Sequence, residues 1–241
     1  MTAIIRYIEL IRDRVMDWDA YPFSIPAVAR LGRLDVDAGV TVLVGENGSG
    51  KSTLIEAIAI AAGFNREGGT KDFTSQHRRS ESDLHHHLRL TRGARREKTG
   101  FFLRAETMFN VSTEAEAYRG YGWEVLHEMS HGEAFLWVVE NRFRNGGLFI
   151  LDEPESALSP QRQLALLARI HELVQKGGQV IMATHSPILM GYPGARLYGL
   201  GQHGIEPVNY EDTEHVVVTR AFLSNPERML AQLFRDQAGD E

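Results

Sequence analysis

Between an apolar run and an apolar helix, the stretch TVLVGENGSGKSTLIEAIAI (residues 41–60) places glycines at 45, 48 and 50, a lysine at 51 and hydroxyls at 52 and 53. So many residues without a side chain suit a backbone that something must approach closely. The order Gly45-Glu46-Asn47-Gly48-Ser49-Gly50-Lys51-Ser52-Thr53 is the P-loop spacing. In that motif, loop and helix N–H groups cradle phosphate oxygens, the lysine reaches the β- and γ-phosphates, and the serine hydroxyl meets Mg²⁺. Two further clusters carry matching chemistry. LFILDE ends in Asp152, a second magnesium-side residue acting through water, and Glu153, a general base for a water in line with the terminal phosphorus. VIMAT is followed at once by His185.

Three short aliphatic runs, TVLV, LFIL and VIMA, must bring these groups together. Strands apolar on both sides are covered by helices on both faces, which implies a parallel sheet in an α/β fold with its ligand at the carboxyl ends of the strands. A helix is expected over 51–62, with Leu54, Ile55, Ile58 and Ala61 inward and Gly63 closing it. A second should run from about Glu133 to Arg144. A third starts at the Ser159 cap and Pro160, with Leu164, Leu167, Ile170 and Val174 as its buried stripe and Gly177 as terminator. Asn225-Pro226 opens a final short helix, PERMLAQLF. IIRYIELI and KTGFFLRAETMF read as strands, and so does SDLHHHLRL, with Leu84, Leu88 and Leu90 on one face. On such a strand only His85 and His87 of the three consecutive histidines converge, so a polar strand face explains them better than a metal site does.

The 241 residues are 43% apolar, as in ordinary globular proteins. No apolar run approaches the length of a membrane span, and no signal peptide is evident. The absence of cysteine fits a cytoplasmic location. A net charge of −6 argues against a generally basic nucleic-acid binder. Residues 66–98 nevertheless hold nine Lys or Arg against five Asp or Glu, with His77, His85, His86 and His87 among them. This segment is a solvated surface excursion or a docking surface for nucleic acid or an effector protein, through Arg92, Arg95 and Arg96.

GENGSGKST, MSHGE (129–133), LDEPESALSP and ATHSP (183–187) occur in the order found in ABC-type ATPases, which the chain resembles along its length. The resemblance implies one ABC-type domain over 1–241: a mostly parallel core sheet flanked by helices, an added antiparallel part and a small helical signature subdomain. It further implies that ATP and Mg²⁺ are bound and ATP hydrolysed by a homodimer that forms head to tail on ATP. Each nucleotide then lies between one P-loop and the other chain's signature, here Ser130, Gly132 and Glu133. Residues 156–159 would form the D-loop at the seam, and His185 the γ-phosphate switch. Glu106 stands at the strand end where the family has a metal-coupling glutamine, while Gln76 sits in the polar segment, and Tyr21 or Phe23 would stack on adenine. His131-Gly132 replaces the usual glycine pair, and Ser159 the usual aspartate. Lys51 and Ser130 are only 79 residues apart, which leaves little room for an arm that grips a membrane partner. The wording is nearer to compact soluble ATPases related to SMC and RecF, acting in DNA repair or phage defence, than to the alternative, a transporter subunit.

Overall fold

The computed structural model describes residues 3–66, 68–70, 82–97, 99–104 and 129–238. Its main sheet has the order β5-β6-β7-β3-β8-β9. The strands are β5 (Gly100–Arg104), β6 (Leu148–Asp152), β7 (Gln179–Ala183), β3 (Val40–Val44), β8 (Arg196–Gly201) and β9 (Gly204–Pro207). The first five are mutually parallel, and β9 turns back antiparallel to β8. A second, antiparallel sheet, β2-β1-β4, is made of β1 (Ile5–Leu10), β2 (Arg33–Asp35) and β4 (Leu88–Arg92).

Every residue of β3, β6 and β7 is buried, and successive side chains feed two separate cores. Leu43, Ile150 and Ile181 join Leu54, Ile55 and Ile58 of α2 (Lys51–Ala61) and the underside of the small sheet. Val42, Phe149, Leu151 and Met182 join Phe135 and Val139 of α3 (His131–Arg142) and Leu166, Ile170 and Leu173 of α4 (Pro160–Gln175). Covering both faces is the physical reason these strands lack polar alternation.

Gln179 fastens the two sheets together. Its side-chain oxygen accepts from the amides of Ile4 and Ile5 at 3.0 and 2.8 Å, and its amide nitrogen donates to the carbonyls of Ile5, at 2.9 Å, and Val36. A buried amide with its hydrogen-bonding capacity filled costs little and fixes the docking of one sheet on the other.

Three expectations need correction. In α4 the buried stripe is Gln163, Leu166, Ile170, Leu173 and Val174, whereas Leu164 is 58% exposed. The register is decided by which face meets β7 and α3, and a leucine on the other face is indistinguishable by composition. Residues Leu84–His87 form a 3-10 turn before β4, not a strand, so the strand-face argument for the histidines fails. The two ring nitrogens of His87 instead lie 3.1 Å from the carbonyl oxygens of Asp83 and Arg14, and whichever nitrogen carries the hydrogen donates to its neighbour. Finally, α3 begins at His131, two residues ahead of the expected start.

The hairpin β8–β9 and the helix α6 (Glu214–Ser224) carry no strong periodic signal and were not anticipated. After β7 comes the short α5 (Pro187–Met190), and after α6 the last helix, α7 (Pro226–Ala238).

The cores predict a contrast in stability. Phe149 is fully buried and stacked on Phe143 with ring centroids 4.4 Å apart. Phe149→Ala should therefore cost about 3–5 kcal/mol, and Leu164→Ala no more than about 0.5 kcal/mol. Urea denaturation midpoints check both.

Candidate functional site

The strand registers bring the reactive segments to one edge. Arg104, Asp152, Ala183 and Leu43 lie in a single row across β5, β6, β7 and β3. The ladder continues one step further, with Glu153 N–H donating to Ala183 O at 2.9 Å and Thr184 N–H to Leu43 O at 3.2 Å. Glu153, His185 and the loop from Gly45 to Gly50 therefore leave the sheet side by side.

The loop has the shape its glycines permit. Gly48 and Gly50 have φ of 79° and 94°, a region costly for residues with a Cβ. A Cβ on Gly50 would also lie 2.8 Å from Ile25 Cγ2. Lys51, only 4% exposed, curls back so that Nζ donates to the carbonyls of Gly45 and Glu46 at 2.8 and 2.9 Å. Burial pushes its ammonium below the ordinary lysine value, while Glu153, Asp152 and Glu46 pull it back up. Ser49 Oγ is buried with no hydrogen-bond partner among the described residues. A glycine-rich turn, an orphan hydroxyl and a desolvated ammonium at the N-terminus of α2 form a donor set that fits a polyphosphate.

Asp152, 5% exposed, stays at the sheet edge with Arg104 Nε 3.4 Å from its Oδ2. Arg104 also donates to Glu56 at 2.7 Å, and Glu56 pairs with Arg66 at 3.2 Å. The motifs gave no hint of this chain of alternating charges. Ser52 is partly exposed in the first turn of α2. One hydroxyl and one carboxylate suit Mg²⁺, which takes few protein ligands and completes its shell with phosphate and water.

Glu153 has φ 46° and ψ 52°, the one described residue other than glycine with positive φ. Such a conformation costs on the order of 1–3 kcal/mol and is sustained only where the surroundings impose it. Here its amide is tied to Ala183, and its carbonyl accepts from Ser156 Oγ at 2.7 Å. The turn leaves the Glu153 carboxylate partly exposed, with His185 Nε2 3.6 Å from Oε1.

His185 is held from behind. Glu155 accepts from Thr184 Oγ1 at 2.7 Å and from the His185 amide at 2.5 Å. His185 Nδ1 lies 2.9 Å from Nε2 of His215, a residue that the motif analysis did not single out. Burial lowers the His185 pKa, and the charge on Lys51 lowers it further, against the opposing pull of Glu153.

Ser130 caps α3 in a capping box. Glu133 accepts from the Ser130 amide and hydroxyl at 2.9 and 2.6 Å, and these bonds hold its carboxyl below the usual carboxylate range. Arg162 of α4 reaches both, at 3.1 Å from Glu133 Oε1 and 3.3 Å from Ser130 Oγ. A Cβ on Gly132 would lie 2.8 Å from Ala157 O. Glycine there is what lets the signature segment touch the turn 154–157 that follows Glu153.

The two adenine candidates separate. Tyr21 is 54% exposed with its hydroxyl 3.2 Å from Thr53 Oγ1, beside the P-loop, whereas Phe23 is buried against Trp18 and His87. Glu106, Gln76 and His77 lie outside the described residues. Of the basic candidates, Arg92 is taken up by Glu97 at 2.6 Å and Arg96 is exposed.

A strand, glycine-rich loop and helix opposite an acidic strand end define a P-loop nucleotide-binding fold. Comparison with known proteins narrows this class. Residues 27–124 match the family model described as "AAA domain", and residues 115–191 match "AAA domain, putative AbiEii toxin, Type IV TA system". The zinc import ATP-binding protein ZnuC of Vibrio cholerae is 30% identical over 167 residues, 64% of this chain and 60% of that protein. The cytochrome c biogenesis ATP-binding export protein CcmA 1 of Salmonella typhimurium is 29% identical over 177 residues, 66% of this chain and 81% of that protein. Among solved structures, "An inward-facing conformation of a putative metal-chelate type ABC transporter" aligns at TM-score 0.50 and 16% identity, covering 91% of this chain and 88% of that one. In fold the chain is a P-loop ATPase of the ABC type, and its sequence resembles AAA domains and the ATP-binding proteins just named.

Proposed function

We propose that this chain binds ATP with Mg²⁺, hydrolyses it to ADP and phosphate, and uses the event to open a head-to-tail dimer of itself. The observation that carries this reading is the convergence of Lys51, Asp152, Glu153 and His185 on one sheet edge. The residues divide the work. The P-loop amides and Lys51 hold the phosphates and offset their charge, and Tyr21 faces the base. Ser52 and Asp152 would hold Mg²⁺, which as a Lewis acid offsets charge on the phosphate oxygens. Glu153 orients a water and accepts its proton as the water oxygen bonds to the terminal phosphorus and the bond to the leaving ADP oxygen breaks. His185 presents Nε2 toward the same place.

Ser130 and the α3 N-terminus would serve the partner's nucleotide, so ATP favours the closed pair through a contact that ADP lacks. Ser130→Arg tests this division. It should leave ATP affinity within about twofold, because the P-loop is intact, yet depress turnover about a hundredfold or more by blocking the seam. Equilibrium binding of a fluorescent ATP analogue and phosphate release check the two halves. Unchanged turnover would rule out the shared site.

The process driven is proposed to be DNA repair or phage defence in the cytoplasm, and the family description naming a type IV TA system supports a setting in defence. The names of the two relatives support a second reading, a transporter's ATP-binding subunit. Co-purification of the chain with a polytopic membrane protein would establish that instead. Among the described residues, no helix is long and apolar enough to cross a membrane.

A further inference from the structure

His215 stands beyond every motif discussed so far, 30 positions after His185 and outside the residues matched by either family model. It occupies the second position of α6, flanked by two anchors. Thr213 is buried, with its hydroxyl donating to Tyr210 O at 2.8 Å, and Val216 is 3% exposed within the core shared by Leu189 and Met190. The first turn of α6 thus holds the His215 ring at a set position, at 56° to the His185 ring with centroids 5.1 Å apart.

We propose that His215 is a positioning residue for the ATPase site: its Nε2–H donates to His185 Nδ1 and so holds His185 in the tautomer whose proton sits on Nε2, facing Glu153. The proposal rests on the ATPase reading given above and adds to it the group that sets the chemistry of His185. A neutral imidazole has one donor and one acceptor nitrogen. Two ring nitrogens 2.9 Å apart share one hydrogen, so either ring can be the donor.

The carboxylate on the far side decides which. If His185 donated from Nδ1, its bare Nε2 lone pair would face Glu153 Oε1 at 3.6 Å. If His185 accepts at Nδ1, Nε2 carries a hydrogen toward that carboxylate, and the interaction becomes attractive. Burial and the nearby ammonium of Lys51 favour the neutral ring, so the Nδ1 lone pair is available to accept. Nε2 has no hydrogen-bond partner among the described residues, so no other acceptor competes for its hydrogen. Glu155 fixes the backbone of the same residue through its amide, which leaves ring rotation and tautomer as the two freedoms that His215 removes.

The test uses the full chain labelled with ¹⁵N-histidine. Ring-nitrogen spectra report tautomers directly, and His185→Ala identifies the His185 signals. The unsubstituted protein should show His185 protonated on Nε2. His215→Leu should mix the two forms, and His215→Gln, whose amide nitrogen reaches about as far as Nε2, should restore the original one. In turnover assays His215→Leu should lower kcat roughly tenfold, as for loss of one hydrogen bond, with KM changed less than twofold and recovery in His215→Gln. An unchanged His185 tautomer, or unchanged kcat, in His215→Leu overturns the proposal. Should the leucine variant fail to fold, His215→Asn, whose shorter amide falls short of Nδ1, takes its place under the same criteria. Absence of turnover in the unsubstituted protein would sink the ATPase reading, while the tautomer spectra still decide the pairing.

Discussion

Glu153→Gln is expected to abolish turnover while strengthening the ATP-bound dimer. The amide keeps the size of the carboxylate and leaves the backbone ties to Ala183 and Ser156 intact, so the left-handed turn survives. What disappears is the base, and positioned proton transfer contributes about a hundredfold to ten-thousandfold to a rate. Binding should move the other way. The Glu153 carboxylate exerts the strongest charge effect on Lys51 and also acts on His185, beside the loop proposed to hold the triphosphate. Neutralising it removes a like charge from the phosphate site, so ATP should bind at least as tightly. With hydrolysis stopped, the closed pair has no exit and accumulates. Sedimentation velocity in ATP, in ADP and without nucleotide should show a dimer in ATP alone. A monomer in saturating ATP would refute the switch, and near-normal turnover would refute the role of Glu153.

The second large effect belongs to Lys51→Ala. With a buried ammonium removed from the phosphates, the loss expected for a charged hydrogen bond is about 1.5–3 kcal/mol, roughly ten- to hundredfold in Kd. Turnover should fall to background. Arginine is a poor replacement, because its rigid planar fork does not fit a pocket in which Lys51 is 4% exposed. A pH dependence accompanies this. Burial lowers the Lys51 pKa, so in the absence of nucleotide the ammonium loses its proton below 10.5, the value of an ordinary lysine. ATP affinity should weaken as pH rises through that lowered value, and the weakening should vanish in Lys51→Ala. Isothermal titration at several alkaline pH values measures both. Equal affinities for the two proteins would remove Lys51 from the phosphate site.

Much of the candidate site was legible because its chemistry is local. The P-loop sequence places its candidate ligand groups within nine consecutive residues, and the glycine positions follow from backbone conformations that the loop cannot adopt otherwise. Asp152 and Glu153 are announced by four apolar residues that must be a buried strand, and Ser130 and Glu133 by a capping box that the structure contains in full. The three-strand argument worked for the same reason, since β3, β6 and β7 are apolar on both sides and only a covered parallel sheet accommodates them.

What sequence reasoning missed depends on contacts between distant residues. Arg104 is an unremarkable arginine until the β5–β6 register sets it level with Asp152. Gln179 looks like a poor strand residue until four backbone groups of the small sheet surround it. Leu164 and Leu166 cannot be ranked by composition, because burial depends on the side from which the sheet approaches the helix.

Types and spacing along the chain were thus enough to specify a glycine-rich turn of P-loop form, an acidic strand end and a covered parallel sheet, since each rests on the conformational limits of neighbouring residues. Folding alone settled the strand order, the left-handed turn at Glu153 and the pairing of His185 with His215. Those arise where segments far apart in the chain meet, and there side-chain packing overrides anything a local pattern can encode.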